Sequence, residues 1–446
     1  MKTIVQFLLA VLARFYIARF RPMIIAVTGN VGKTSTKEAI AAVVRHSGLT
    51  TRASKGNLNN EFGVPLTILG DWADEYYERG GTPWFWLKVL VLAKWRFFLL
   101  RRYPDVLILE FGADRPGDIR ALARRYRPHI AVVTAVGDIP VHVEYYEDAE
   151  HVAREKSEIV RYLTSNDHAV LNHDDPRVLA MKDATQGQVI TFGAHDPSAG
   201  RAGGLDIGFS NFTIRYGING APEGIAFKLH NNGSFVPVKI AGLLGSSQAY
   251  AVAAAAAVGI TLGMNFIEIS QAIESYQPSR GRLRILSGIK NTTIIDDTYN
   301  ASPASMRVAL ETLKEIVALR NTQGKTTRVL VVLGDMLELG KYSIQAHEEV
   351  GDEVVAGVVD VLVCVGEKAK LIAEAAEKKM PSGSVFQFHT SEAAKPKVQE
   401  LVQEGDIILV KGSQGMRMER IVEEIMAEPE RKGELLVRQT GGWVKG

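Results

Sequence analysis

The sequence predicts an α/β fold. A doubly wound, mostly parallel sheet carries a phosphate-binding loop (P-loop) and a small antiparallel patch, and a second Rossmann-like α/β domain follows it. Two observations predict this class. Short apolar runs alternate with helix-compatible segments along most of the chain, as in βαβ units. The apolar run at residues 24–27 is followed by a glycine-bearing turn, and a helix-compatible segment begins directly after that turn. With 446 residues, 46% hydrophobic and 23% charged, the chain is long enough for two or three globular domains.

The net charge and the cysteine content limit the partners and the cellular compartment that we expect for the protein. A net charge of +2 gives no global reason to expect nucleic acid as a partner. The single cysteine, Cys364, lies in an apolar run and excludes a disulfide within the chain, which fits a reducing, cytoplasmic compartment.

Residues 1–22 predict an apolar, basic helix in front of the first domain. Its charge-free run ends at Arg14, short of the roughly 20 residues that a spanning helix needs, and no small-residue cleavage site follows. Arg14, Arg19 and Arg21 collect near its end, so the helix is a candidate membrane-surface anchor. Packing against the body of the protein is the open alternative.

Residues 24–38 predict a strand, a phosphate loop and a helix start. Glycines turn backbone N–H groups toward phosphate oxygens, Lys33 can reach the β- and γ-phosphates, and the Thr34 hydroxyl can hold Mg²⁺. The general pattern G-x-x-x-x-G-K-[ST] needs glycine at position 27, where this chain has Val27. We expect an ATP-binding domain over residues 23–277; a strand-to-helix turn without nucleotide is the alternative.

Two features follow within that domain. The polar segment 58–65 stops at Pro65 and offers the amides of Asn59 and Asn60 to a nucleotide. An apolar, basic insertion at about residues 76–104 is rich in Trp, Phe, Lys and Arg. Its cations do not collect on one face of a helical wheel, which weakens an amphipathic interpretation. Two such segments in one chain nevertheless favour a bilayer surface or a membrane protein as partner, at the inner face of the cytoplasmic membrane.

Three polar side chains, one at a strand end, one in a loop and one on a helix, then follow in the sequence. Glu110 ends an apolar strand at the carboxyl edge of the sheet, His142 lies in the loop after the next strand, and Lys156 lies on the following helix. Taken singly, each is an ordinary surface or core residue. A phosphate loop whose Thr34 holds Mg²⁺ usually takes a carboxylate from a neighbouring strand end, and Glu110 is best placed in sequence.

The remaining chain predicts the antiparallel patch and the second domain. Alternating segments over residues 205–240 include Asn232-Gly233, a strong hairpin signal. Gln248 begins an alanine-rich helix. A linker at residues 277–282 marks a boundary to the C-terminal domain, residues 278–446, whose buried strands are expected at 294–297, 329–334, 359–363 and 407–410.

The phosphate loop, Thr28-Gly29-x-x-Gly32-Lys33-Thr34-Ser35-Thr36-Lys37-Glu38, resembles that of the Mur ligases, in which the missing glycine at 27 is expected. Further matching segments lie in order at 56–67, 110–113, 152–159, 171–176, 281–282, 296–303, 334–340 and 410–413, so the resemblance covers nearly all of residues 23–425.

The resemblance implies an ATP-dependent, ADP-forming carboxylate–amine ligase that makes an amide bond through an acyl phosphate, with D-Ala-D-Ala addition in cell-wall peptide synthesis as the first candidate. It implies a catalytic set of Lys33, Glu110, His142 and Lys156. Thr34 and Glu110 would hold one Mg²⁺, and His142 and a carbamylated Lys156 a second. The nucleotide-binding set, from loop chemistry and resemblance together, is Gly29, Asn30, Val31, Gly32, Lys33, Thr34, Ser35, Asn59, Asn60, Gln248, Arg282 and Asp297.

The family's ligases normally carry an N-terminal domain that holds the nucleotide-sugar end of the acceptor, and this chain has only the apolar helix there. Either another subunit supplies that domain, or the carboxylate acceptor is a lipid-linked rather than a nucleotide-linked peptide. The amine substrate is expected to be an amino acid or dipeptide. A membrane-associated polyglutamate-type ligase, a P-loop nucleotidase or kinase, and a catalytically silent partner protein remain alternatives.

Overall fold

The computed structural model describes residues 2–56, 58–137, 145–195, 205–218, 220–277, 279–322, 327–355, 358–439 and 441. The helices of these residues are α1 Lys2–Phe20, α2 Lys33–His46, α3 Gly63–Leu69, α4 Ala73–Arg79, α5 Pro83–Leu99, α6 Asp118–Arg125, α7 Ala149–Ser157, α8 Pro176–Leu179, α9 Ser247–Thr261, α10 Phe266–Glu274, α11 Pro303–Thr322, α12 Ser343–Val355, α13 Ala369–Glu377, α14 Ser391–Leu401, α15 Glu419–Ile425 and α16 Lys432–Leu435. The strands are β1 Met23–Thr28, β2 Thr51–Ala53, β3 Val106–Glu110, β4 Ile130–Val133, β5 His168–Asn172, β6 Gln188–Ala194, β7 Ile207–Tyr216, β8 Pro222–Asn231, β9 Ser234–Ala241, β10 Arg284–Ser287, β11 Thr293–Asp297, β12 Val329–Gly334, β13 Val361–Val365, β14 Val385–Phe388 and β15 Ile407–Lys411.

The first sheet has nine strands in the order β2-β3-β1-β4-β5-β6-β7-β8-β9. The strands from β2 to β7 pair in parallel, and β7, β8 and β9 pair antiparallel. The Asn232-Gly233 turn has positive φ at both residues, as the hairpin signal predicts. The antiparallel patch therefore extends the main sheet itself instead of lying beside it.

The phosphate loop lies at a point where the strand order of the first sheet reverses, with β2 and β3 on one side of β1 and β4 on the other. β1 lies between β3 and β4, and Val27 of β1 is in register with Glu110 of β3. In doubly wound sheets, ligands bind at the carboxyl ends of the strands at such a switch point.

The second sheet has six strands in the order β10-β11-β15-β12-β13-β14, with only the β10–β11 pair antiparallel. These two sheets with their helices confirm the predicted α/β class. Backbone bonds join the sheets directly: the Leu244 N–H donates to the Leu283 carbonyl at 2.9 Å, and the Ile285 N–H to the Gly242 carbonyl at 3.0 Å. The proposed domain division at residues 277 and 278 stays a prediction.

Helices cover both faces of the first sheet. On one face, α2 packs against α9, whose alanines are buried on every side, as expected for a core helix that is apolar all round. On the other face, α1, α3 and α5 contribute Leu9, Leu66 and Val89 to a second core. The polar segment expected to stop at Pro65 instead enters α3 at Gly63. Proline fits there because the first turn of a helix leaves its N–H groups unpaired in any case.

Candidate active site

The phosphate loop is a tight backbone turn held by the end of β4. Gly29 has φ of +139° and Gly32 has φ of +85°, which are conformations that favour glycine. A Cβ atom on Gly29 would lie 2.1 Å from the Thr134 hydroxyl oxygen. The Thr134 hydroxyl donates to the Val31 carbonyl at 2.7 Å, and the Asn30 N–H donates to the Ala135 carbonyl at 2.6 Å. The loop shape is thus fixed by glycine geometry and by its neighbour strand.

Lys33 opens α2 and turns back over the loop. Its Nζ donates to the Gly29 carbonyl at 2.8 Å and to the Asn30 carbonyl at 3.2 Å. Burial lowers the pKa of Lys33, and the nearby Glu110 carboxylate opposes that change. The free N–H groups at the start of α2 and this ammonium together make a site suited to phosphate.

Thr34 and Glu110 meet beside the loop. The Thr34 hydroxyl donates to Glu110 Oε2 at 3.2 Å, and Asn59 Nδ2 donates to Glu110 Oε1 at 3.2 Å. Arg282, from the linker to the second sheet, donates from Nη2 to the Thr34 hydroxyl oxygen at 3.2 Å. Residues separated by about half the chain therefore converge on one carboxylate and one hydroxyl.

Lys37 belongs to this cluster, although no role was predicted for it. It is fully buried on α2; its Nζ donates to the Ser54 carbonyl, lies 3.2 Å from Glu38 Oε1 and 3.9 Å from Glu110 Oε2. The signal in the sequence is its position one helical turn after Lys33, which places both lysines on the same side of α2. Lys37 holds a compensating charge next to the Glu110 carboxylate.

The second sheet supplies the opposite wall of the site. Arg282 lies over the Tyr299 ring, 4.1 Å from its centroid. Asp297 at the end of β11 accepts from Lys411 Nζ at 2.6 Å and from the Leu283 N–H at 3.2 Å. Lys411 ends β15, in register with Asp297, so the parallel pairing of two strands builds this ion pair.

A cavity of about 450 Å³ lies between the two walls. Most of the predicted site residues line it: Asn30, Val31, Gly32, Lys33, Thr34, Ser35, Asn59, Asn60, Glu110, Gln248, Arg282 and Asp297. Three lining side chains carry buried polar atoms without a partner among the described residues, namely Asn30 Oδ1, Arg282 Nε and the Tyr299 hydroxyl. A polar ligand in the cavity would satisfy such atoms.

The other predicted residues lie as follows. Gly29 is in the loop but does not line the cavity, and Lys156 is buried on α7. Burial, and then the nearby charge of Lys33, lower the pKa of Lys156 to about 7. Gln248 is buried and accepts from the Tyr276 hydroxyl at 3.0 Å. His142 lies outside the described residues, so its predicted role stays a prediction.

The described residues of the cavity fit one Mg²⁺ that is held partly by substrate phosphates. They do not fit a metal ion that is held by protein side chains alone. Within the described part of the chain, no group of three or more His, Cys, Asp or Glu side chains gathers for an ion. The Thr34 hydroxyl and the Glu110 carboxylate, 3.2 Å apart, are hard oxygen donors. Mg²⁺ is usually held by one or two such carboxylates together with substrate phosphates and water.

Comparison with known proteins identifies two family models along the chain. A model described as the Mur ligase middle domain matches residues 92–259, and one described as the Mur ligase, glutamate ligase domain matches residues 281–414. The first spans Glu110, Lys156 and Gln248, and the second spans Arg282, Asp297 and Lys411.

Individual relatives match over most of the chain. UDP-N-acetylmuramoyl-tripeptide–D-alanyl-D-alanine ligase from Bacillus subtilis is 28% identical over 94% of this chain and 79% of its own length. The enzyme of the same name from Mycobacterium leprae is 30% identical over 91% of this chain and 74% of its own length. The crystal structure of MurF ligase from Thermotoga maritima in complex with ADP aligns with a TM-score of 0.73 and 26% identity, over 95% of this chain and 84% of that one.

Proposed function

This chain belongs to the Mur ligase family of ATP-dependent, ADP-forming carboxylate–amine ligases, and from that membership we propose that it adds D-Ala-D-Ala to a muramoyl tripeptide in peptidoglycan synthesis. One observation of the structure carries the proposal. The phosphate loop with Lys33, Thr34 and Glu110 faces Arg282 and Asp297 across a single cavity. Relatives with that named activity match both walls of the cavity.

In this reaction a carboxylate oxygen of the tripeptide attacks the γ-phosphorus of ATP, and the bond to the leaving ADP oxygen breaks. The amine of the dipeptide then attacks the acyl carbon, loses a proton and displaces phosphate. Lys33 and the α2 N-terminus hold the phosphates, and Arg282 reaches the same phosphates from the opposite wall. Asp297 is proposed to accept from the ribose hydroxyls. Two walls closing on the cavity exclude water, which would otherwise hydrolyse the acyl phosphate.

We assign one Mg²⁺ to Thr34 and Glu110, where it would offset phosphate charge. Lys37, whose Nζ lies 3.9 Å from Glu110 Oε2, balances the charge of this carboxylate. Lys156 is proposed to be carbamylated, and with His142 to hold a second Mg²⁺. The lowered pKa of Lys156 favours this reaction, because only a neutral amine attacks CO₂. The carbamate would replace a buried amine near Lys33 with an anionic oxygen donor.

The substrates and setting follow from the relatives' names and from the sequence. The acceptor is proposed to be the UDP-linked muramoyl tripeptide that appears in the names of the B. subtilis and M. leprae enzymes. A lipid-linked peptide is the second candidate acceptor. We place the enzyme in the cytoplasm, at the inner face of the membrane. We also propose that a separate subunit could hold the nucleotide-sugar end of the acceptor. Turnover of the UDP-linked acceptor by the purified chain alone would show that no such subunit is needed.

The screen measures ADP and phosphate release by the purified chain with ATP and Mg²⁺. D-Ala-D-Ala, D-Ala and L-Glu are each paired with UDP-linked and lipid-linked tripeptide, and products are identified by mass. Release is expected only when an acceptor and D-Ala-D-Ala are both present. Lys33→Ala should abolish it, whereas Lys370→Ala, at an exposed lysine of α13, should not.

Each rival predicts a different pattern. A nucleotidase or kinase would release ADP without an amine. A polyglutamate-type ligase would extend its product with L-Glu. A silent partner protein would bind ATP without turnover under every pairing, and any of these results would overturn the proposed activity.

A further inference from the structure

Helices α1 and α5 lie side by side on the outside of the first domain and are held together by specific contacts. The Tyr16 hydroxyl donates to the Ala93 carbonyl at 2.7 Å, and the Arg19 guanidinium donates to the Phe97 carbonyl. The Tyr16 and Phe97 rings lie 5.5 Å apart. These contacts anchor α1 to the folded body along one of its faces.

Both helices are apolar on the faces that they turn away from the protein. On α1, Phe7 is 66% exposed and Phe15 57% exposed. On α5, Trp84 is 79%, Trp95 63% and Phe98 68% exposed. A helix that is apolar all round is normally buried all round. Here only the inner faces are buried, so the outer faces together form one exposed apolar patch, which we call the α1–α5 surface.

The α1–α5 surface is continuous across the two helices. Phe15 of α1 contacts Phe97 of α5 with ring centroids 6.4 Å apart, and Phe97 contacts Phe98 at 5.2 Å. Leu87 and Val91, each about half exposed, extend it along α5. Contiguous exposed apolar patches of this kind mark sites of interaction with a protein or a membrane.

The charges around the surface distinguish between these two partners. Neither α1 nor α5 contains an acidic residue. Exposed cations border the apolar faces: Arg14 on α1, Lys94 on α5, and Arg101 and Arg102 directly after α5. Tryptophan beside lysine and arginine is the composition of a membrane interface, where the rings lie at headgroup level and the cations meet anionic lipid. Cores of protein interfaces are instead depleted in lysine.

We propose that the α1–α5 surface docks flat on a bilayer containing anionic phospholipid. The inference rests on the cytoplasmic location proposed above, because the inner leaflet carries the negative surface potential. α1 is long and apolar enough to cross a membrane by length and composition, with a mean hydropathy of 1.6. Its contacts through Tyr16 and Arg19 hold it along the protein instead, and the exposed half is the half left for lipid.

Docking would place on the lipid the two helices that contact a segment next to the cavity. Trp86 of α5 contacts Phe62, with ring centroids 5.3 Å apart, and Gln6 of α1 donates to Glu61 at 2.8 Å. Both partners belong to the segment that follows Asn59 and Asn60, which line the cavity. The membrane-facing helices therefore support the active-site loop directly.

The test is co-sedimentation of the full chain with sonicated vesicles of phosphatidylcholine alone or mixed equally with phosphatidylglycerol. We expect binding at least about tenfold stronger to the mixed vesicles, weakened by 0.5 M salt. Trp95→Ser with Phe98→Ser should weaken it about tenfold or more, since two large aromatic side chains lose their apolar burial. Ile267→Ser with Phe235→Ser, at side chains 64% and 54% exposed elsewhere, is the matched control and should change binding less than twofold.

Bromine-labelled lipids supply an independent readout, because they quench tryptophan that enters the bilayer. Quenching should fall strongly in Trp84→Phe with Trp95→Phe, because these two are the exposed tryptophans among the described residues. Circular dichroism and ADP release without vesicles, unchanged in all variants, would verify folding. Failure to bind vesicles would thus overturn this inference alone and leave the ligase proposal intact.

Four results would overturn the proposal: no sedimentation with mixed vesicles, equal binding to both vesicle types, equal losses in the test and control pairs, or bound protein that resists extraction by alkaline carbonate. The last would assign α1 to a membrane span. A dimer that Trp95→Ser with Phe98→Ser dissociates, without vesicle binding, would assign the surface to a second copy of the chain.

Discussion

Replacing Lys156 with methionine should remove a pH dependence that this buried amine gives to folding. Its pKa is lowered from 10.5 to about 7 in the folded protein, by burial first and by Lys33 second. Between these values the unfolded chain binds a proton that the folded chain does not, so stability rises with pH. Below about pH 7 both states are protonated, and the full cost of the buried ammonium is present.

The size of the effect follows from the two pKa values. Each pKa unit corresponds to about 1.4 kcal/mol, so burying the charged amine costs roughly 5 kcal/mol at low pH. Between pH 7 and pH 9.5 the wild-type chain should recover about 3 kcal/mol of that cost. Lys33, whose pKa is also lowered, is present in both proteins, so only its coulombic interaction with Lys156 differs between them.

The assay is urea unfolding of the wild type and Lys156→Met across that pH range in CO₂-free buffer. Lys370→Met, at an exposed lysine, is the matched control and should keep the wild-type slope. Added bicarbonate should stabilise the wild type further and leave Lys156→Met unaffected, because only the lysine can form a carbamate. Parallel pH curves for the wild type and Lys156→Met would refute the assignment of a buried, neutral amine.

Three further predictions test the core of the site. Lys37→Met should lower the free energy of unfolding by roughly 3 kcal/mol, because it leaves the Glu110 carboxylate buried without its compensating charge; a urea midpoint that does not move would contradict this. Gly29→Ala should reduce ADP binding at least about tenfold, since its Cβ would lie 2.1 Å from the Thr134 hydroxyl oxygen, and binding at wild-type strength in calorimetry would count against the loop geometry. Cys364 should react with iodoacetamide only after unfolding, because its thiol is buried and burial raises its pKa; rapid labelling of the native chain, measured by mass, would show that the β13 core is open.

The phosphate loop could be predicted because its chemistry is local. Glycines, Lys33 and Thr34 follow one another in sequence, and Glu110 could be added because the carboxyl ends of parallel strands share one edge. The Asp297–Lys411 pair could not be found in this way, since it depends on β15 lying beside β11 across 114 residues. Lys37 was missed for the same reason: its partners Ser54 and Glu110 come from other elements.

Missed elements of the fold also have physical causes. β10 and β14 form the two edges of the second sheet, and their half-buried residues lack the continuous apolar run of a central strand. The start of α3 was hidden by Pro65, which marks a stop in most contexts but is tolerated in a first helical turn. The direct continuation of the main sheet from β6 into β7 depends on a parallel pairing that no local signal encodes.

The backbone hydrogen bonds between the two sheets limit how the cavity between them can open. They lie at Leu283 and Ile285, directly beside Arg282, so a rotation of one sheet against the other would pivot about this point. β12 is three strands away from β10, about 14 Å at ordinary strand spacing, and it leads to Leu337 and Leu339 on the far rim of the cavity. A rotation about the pivot would move this rim through a long arc while Arg282 stays near Thr34. The phosphate-binding end of the cavity would then stay formed while the rim at Leu337 and Leu339 opens and closes.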